Sequence, residues 1–300
     1  MKPLTYRHTR IACYGAYVTQ AIINNLAPLL FTIFQRRFGV TLEEVGSLIL
    51  INFTAQIFVD LAAARFADKI GYRNGMVIAH LFCIAGLAFL VVLPQILPSA
   101  FAGLLIAVII YAVGGGYIEV LISPLVDSLP GEEKEKAMSL LHSFYCWGSV
   151  GVILLSTIFF AVFGIENWHI LACIWALIPL YNTFNFLSCP IESLTEEGQG
   201  LGIRQLCRIP IFWITLVLMV CAGASEISMA QWASAYVESA LGISKSIGDV
   251  AGPCLFAIMM GISRSFYGKY GEKIDLMKFM IASGALCLVC YLLSALAPLP

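Results

Sequence analysis

The chain has 300 residues, of which 60% belong to the AVILMFWYC set and only 12% are charged, against roughly a quarter in an ordinary globular protein. Mean hydropathy is +0.90, and so few charges cannot cover the surface of a compact soluble fold. A net charge of −1 gives nucleic acid no electrostatic foothold, so the composition points to a polytopic membrane protein.

A bilayer core takes about 20 apolar residues per helix. Nine stretches meet that length, at 11–35, 45–64, 74–94, 99–126, 137–163, 167–189, 209–237, 246–265 and 279–298. The expected fold class is therefore all-α polytopic. The first stretch follows Lys2, Arg7 and Arg10, as a signal peptide would, but its uncharged run is too long for an h-region and no small-x-small site follows. It reads as a retained first helix, and its polar residues are Gln20, Asn24 and Asn25. The second carries Asp60 close to its cytoplasmic end, one turn from Arg65. The fourth holds Gly114-Gly115-Gly116 just before Glu119, and such glycines let helices approach closely. In the fifth, His142 sits near the cytoplasmic end, while Tyr145 and Trp147 lie too deep for an interfacial belt. Trp168 and His169 open the sixth at its outer end, where belt residues belong. The seventh carries Glu226 with Ser225, Ser228, Gln231 and Trp232. One helix flank is expected to carry Glu226, Ser228 and Gln231 together. The eighth begins with Asp249 at its outer edge and ends near Arg264, which reads as part of a cytoplasmic turn.

A carboxylate at membrane depth costs at least ~2.5 kcal/mol, so Glu119 and Glu226 are the prime candidates for function, as proton carriers. The competing reading of each is a neutral carboxyl hydrogen-bonded across helices. Substrate-binding candidates are Gln20, Asn24, Asn25, Glu119, Tyr145, Trp147, Gln231 and Trp232, which offer amides, an acid and aromatic faces suited to a sugar ring. Spans 1, 4, 5 and 7 hold no Lys or Arg in their interiors, so a neutral, hydroxyl-rich or weakly cationic solute fits best.

Other chemistries find little support. Cys287-x-x-Cys290 lies mid-span without polar companions, and the Asn52-Phe53-Thr54 sequon is inside a span. The stretch Gly261 to Lys269 has the wrong spacing for a phosphate loop, so no ATP site is expected. No metal ligand cluster or catalytic constellation is present, so neither an enzyme nor a cofactor is expected. The coupling ion would be the proton.

Orientation follows from the loops, since cytoplasmic loops collect Lys and Arg. With the N-terminus inside, only Arg36, Arg37 and Lys245 of the 17 basic residues fall outside. Two cytoplasmic turns echo each other: Asp68-Lys69-Ile70-Gly71-Tyr72-Arg73 and Gly268-Lys269-Tyr270-Gly271-Glu272-Lys273 match at Lys69/Lys269, Gly71/Gly271 and Arg73/Lys273. Six spans separate them, which implies a repeated six-helix unit. The expected organisation is an N-terminal six-helix bundle at 1–190, a cytoplasmic linker at 191–208, and the first three helices of a second bundle at 209–300. Nine spans of an expected twelve suggest a chain truncated at its C-terminus.

The turn Ala64-Arg65-Phe66-Ala67-Asp68-Lys69-Ile70-Gly71-Tyr72-Arg73 resembles the cytoplasmic signature of the major facilitator superfamily. Asp68, Gly71 and Arg73 fall in place, Lys69 keeps a basic residue, and Ala64 and Tyr72 depart from the pattern. The resemblance implies two pseudo-symmetric six-helix bundles that alternate access to a central site, with Asp68, Lys69, Gly71, Arg73, Gly268, Lys269, Gly271 and Lys273 controlling conformation. A narrower likeness links Gly223-Ala224-Ser225-Glu226, Trp232, Tyr236, Glu119 and the stretch Leu141 to Gly148 to the fucose-permease group of sugar–proton symporters. Where that group has an acidic residue in its first helix, this sequence has Gln20, Asn24 and Asn25.

The leading expectation is secondary transport, as proton-coupled uptake of a neutral sugar by a monomer in the plasma membrane. Drug or metabolite efflux on the same fold is the second reading, and a membrane sensor or enzyme the third.

Overall fold

The structure is a computed structural model that describes residues 5–130, 134–191 and 203–296. Its helices are α1 (Tyr6–Phe38), α2 (Leu42–Ile70), α3 (Tyr72–Ile96), α4 (Ala100–Ser128), α5 (Lys134–Phe163), α6 (Trp168–Ser188), α7 (Ile203–Leu206), α8 (Pro210–Leu241), α9 (Lys245–Asp249), α10 (Leu255–Tyr270) and α11 (Leu276–Leu296), with a π turn at Val250–Cys254 joining α9 to α10. Among the described residues there is no strand, and nine helical stretches are long and apolar enough to cross a membrane. Each expected span falls on one of them. Helices suit lipid because each satisfies its own backbone N–H and C=O groups.

Local chemistry sets the ends. Gly39 takes φ 67° and closes α1 through its N–H to the Gln35 carbonyl (3.1 Å). Thr41 and Glu44 cap α2 reciprocally, with the Glu44 N–H on Thr41 Oγ1 (3.2 Å) and the Thr41 N–H on Glu44 Oε2 (2.8 Å). Gly71, at φ 80°, separates α2 from α3. The π turn coincides with Pro253, which has no N–H to give the preceding turn.

α1 lies at the centre, packed on α4, α5 and α6, while α2 covers α4 and α3 meets both α4 and α6. The later helices join this group through α10 on α5. The Gly114–Gly116 triplet explains how α4 holds three neighbours. Successive residues point about 100° apart around a helix, so each glycine faces a different partner. A Cβ at Gly114 would stand 2.5 Å from the Ala79 carbonyl of α3, one at Gly115 2.8 Å from Gln20 Oε1 of α1, and one at Gly116 3.1 Å from Gln56 Cα of α2. At Gly114, against backbone, only glycine permits the approach; a Cβ at Gly115 or Gly116 would have to displace Gln20 or push α2 by a few tenths of an ångström.

Two expectations change here. Trp168 is not a belt residue: it is fully buried, edge-on to Phe34 and Phe38 of α1, because the tight turn at Ile165–Asn167 starts α6 beneath the end of α1. The echo of the two cytoplasmic turns also stops short of the backbone. Gly71 breaks the chain at positive φ, whereas Gly271 has φ −55° and extends α10 into a 3-10 turn, Gly271–Lys273. Gly268 rests against Ser139 of α5, Lys269 lies over the Tyr270 ring, and Lys273 is exposed. The side chains of Arg65, Asp68, Lys69 and Tyr236, and residues 192–202 of the expected linker, lie outside the described residues.

Candidate functional site

The polar residues of α1 and α4 meet in register. Glu119 is one turn beyond Gly115 and so shares its face, the face turned to α1. There Gln20 Nε2 donates to Glu119 Oε2 (3.2 Å) and reaches Gln56 Oε1 (3.4 Å). Gln56 Nε2 passes the chain to Asn24 Oδ1 (3.3 Å), and Asn24 Nδ2 passes it to the Tyr145 hydroxyl (3.4 Å). Asn25 Nδ2 donates to the Ala21 carbonyl (2.8 Å) and to Ser149 Oγ (3.0 Å). One turn further along α4, Ser123 Oγ meets Tyr17 OH at 3.4 Å. Side chains of α1, α2, α4 and α5 thus form one connected network.

α8 joins it through a backbone defect. Pro28 sits inside α1 and has no N–H for the Asn24 carbonyl four residues earlier. Gln231 Nε2 of α8 donates to that carbonyl instead (3.3 Å). Between α1, α5, α8 and the π turn remains a cavity of about 40 Å³ lined by Asn25, Gln231, Ser234 and Asp249, room for about one water. Asp249 is 3% exposed and accepts the Ser234 hydroxyl, so at the start of its span it is held between helices.

Glu119 itself is exposed, while Gln20 behind it is 2% exposed. The carboxyl expected to be buried thus keeps accessible surface, and the charges of Asp60 and Glu226 also reach it. Among the described residues, three acceptors around this region make no hydrogen bond: Gln20 Oε1, Asn52 Oδ1 and Asp60 Oδ1.

The structure brings together Gln20, Asn24, Asn25, Glu119, Tyr145 and Gln231 of the candidates. It leaves Trp147 and Trp232 outside. Trp147 turns to α10, packing on Gly261 with its Nε1 near Ser265 Oγ (3.4 Å), and Trp232, 42% exposed, extends toward Gly46 of α2. Nor do Glu226 and Gln231 share a flank. Five residues turn a helix by about 500°, leaving them about 140° apart. Gln231 therefore meets α1 while Glu226 meets Arg264 of α10, Oε2 to Nη2 at 3.9 Å. Arg264 thus pairs with an acid of another helix from within α10. Arg73 works elsewhere. Its guanidinium donates to the carbonyls of Phe186, Leu187 and Cys189 (2.8, 2.9 and 2.7 Å), capping the end of α6.

Sequence reasoning missed Gln56, Ser149 and Arg264. A signal for the first existed: Asn52, Gln56 and Asp60 recur every fourth residue, a polar stripe on one face of α2.

A family model described as Major Facilitator Superfamily matches residues 13–300. Among solved structures the chain is similar to the inward-open conformation of the xylose transporter XylE from E. coli, with a TM-score of 0.58, 15% identity, and 90% of this chain and 69% of that chain covered. At that identity the likeness is one of fold. No curated protein sequence matches the chain.

Proposed function

The chain belongs to the Major Facilitator Superfamily, and from that premise we propose that this membrane transporter carries a small hydroxyl-rich solute of the sugar class, coupled to protons, by alternating access. Transport of a solute across a bilayer, rather than catalysis, is the function of the family. The observation that supports the finer reading is the network around Glu119. It combines amide donors with acceptors on Gln20, Asn52 and Asp60 that are buried with no donor among the described residues, and a solute rich in hydroxyls would supply donors once the helices part.

Glu119 is the proposed proton carrier. A carrier must exchange its proton with water, and a carboxyl with accessible surface can do so. Gln20 Nε2 stabilises the ionised form by donating to it; a bound solute or a rearranged α1 would remove that contact. Proton and solute occupancy then become linked through the same residue pair. A cavity of about 40 Å³ is too small for a sugar, so loading from that side requires Gln231 to leave Asn24 and α8 to separate from α1. That movement is the proposed gate. Residues 1–190 and 209–300 are the proposed moving units, with the N-terminus cytoplasmic in a plasma membrane.

Glu119→Gln keeps shape and hydrogen bonding but removes the titration. In proteoliposomes it is expected to abolish pH-driven accumulation of labelled sugar while preserving exchange of labelled for unlabelled sugar at equal pH. Accumulation by the Gln variant against a gradient would assign the coupling elsewhere.

A further inference from the structure

We propose that Arg264 is a binding site for a carboxylate on the transported solute, and that Glu226, displaced from it, takes up a proton when that solute binds. The inference deepens the preceding reading, on which it rests, by narrowing the solute from the sugar class to polyhydroxy acids.

Arg264 sits within α10, six residues before the helix ends at Tyr270. A guanidinium on a membrane-spanning helix is costly unless paired or facing a cavity, and it has five N–H donors to satisfy. Weak contacts use some of them, among them one with the Cys146 thiol. Nη2 is 3.9 Å from Glu226 Oε2 and touches the Met260 sulfur at 3.9 Å, and Nε is buried with no hydrogen bond. A bidentate Arg–carboxylate pair closes to about 2.8 Å, so Glu226 holds Arg264 by charge at long range and leaves its fork open. Both side chains keep more than a third of their surface accessible.

The surroundings suit an acid with hydroxyls attached. Arg264 projects its charge toward Tyr17 of α1 and His142 and Cys146 of α5. Glu226 is felt at Tyr145 and at Glu119. A ligand spanning the two clusters would place its carboxylate on Arg264 and its hydroxyls against Glu119, Gln20 and Tyr145.

The charges balance. Before binding, Arg264 and Glu226 form a neutral pair. The arriving carboxylate takes the guanidinium, Glu226 is left facing Glu119 without its cation, and one proton from water neutralises it. The groups packed around the pair that also titrate are Tyr17, Glu119, His142, Tyr145 and Cys146, so the proton must be assigned by substitution.

The test uses purified protein in detergent, with gluconate, glucuronate and glucose as probes. Calorimetry measures affinity, and a pH-sensitive dye in weak buffer measures protons taken up. Gluconate or glucuronate is expected to bind at least ~10-fold more tightly than glucose and to draw one proton per ligand from solution. Arg264→Gln should remove that preference and Arg264→Lys restore part of it, which separates binding from misfolding. Glu226→Gln should keep acid binding without proton uptake, whereas His142→Gln should retain the uptake. Equal or tighter binding of glucose, an unchanged acid affinity in Arg264→Gln, or proton uptake that survives Glu226→Gln would overturn the inference. Glucose binding with Glu119-dependent accumulation would leave the broader function standing, and failure of all three probes would remove both.

Discussion

α4 and α11 have the same peak hydropathy, 2.2, yet 56% of that stretch of α4 is buried and none of α11 is. The same contrast separates α1, 78% buried over its most apolar stretch, from α8, with none. Apolar content places a helix in the bilayer, where lipid tails solvate leucine as well as another helix does; α1 and α4 lie inside the six-helix group, whereas α8 and α11 lie at its border. Packing needs a shape that lipid cannot match. α4 supplies it with glycines against α1, α2 and α3, and with Gly103 against the Leu93–Pro94 backbone of α3 at 2.6 Å. Gly284 of α11 has nothing within 4 Å of its Cβ position.

The largest test of that contrast pairs two equal substitutions. Gly114→Val forces a side chain into the Ala79 carbonyl and is expected to cost about 3 kcal/mol, seen as a lowered unfolding midpoint in detergent. Gly284→Val should leave the midpoint unchanged, and equal losses would sink the packing argument.

Next are the two echoing turns. Arg73→Gln deprives three α6 carbonyls of their cap and should cost about 2 kcal/mol, read by the same unfolding assay. Lys273→Gln, at the matching position, should have no measurable effect, since Lys273 is exposed. A comparable loss at both sites would restore the structural equivalence that the backbone angles deny.

A smaller effect probes the junction between the regions. Gln231→Leu leaves the Asn24 carbonyl without a donor, at about 1 kcal/mol. Pro28→Ala returns a backbone N–H to that carbonyl, so Gln231→Leu should cost less in that background. A double-mutant cycle with no coupling would show that Gln231 serves α1 in some other way.

The smallest change belongs to the surface pair Arg37–Glu166, 3.3 Å apart with side chains 40% and 80% exposed. Arg37→Ala should lower stability by about 0.5 kcal/mol or less, and high salt should erase the difference.

The sequence by itself determined that the chain spans a membrane, how many helices do so, and roughly where each ends, because a bilayer imposes one length and one polarity on every span. It also marked Gln20, Asn24, Asn25, Glu119, Tyr145 and Gln231, since polar groups at membrane depth are rare enough to stand out singly. Only the tertiary structure decided which of them meet. Helix rotation turned Gln231 to α1 but Trp232 and Glu226 away from it, and a proline-freed carbonyl on α1 created Gln231's partner. Arg264 found its acid on another helix, 38 residues distant in sequence, and Trp168 was buried by the turn before it. Such pairings depend on crossing geometry between helices, which no single helix's periodicity contains.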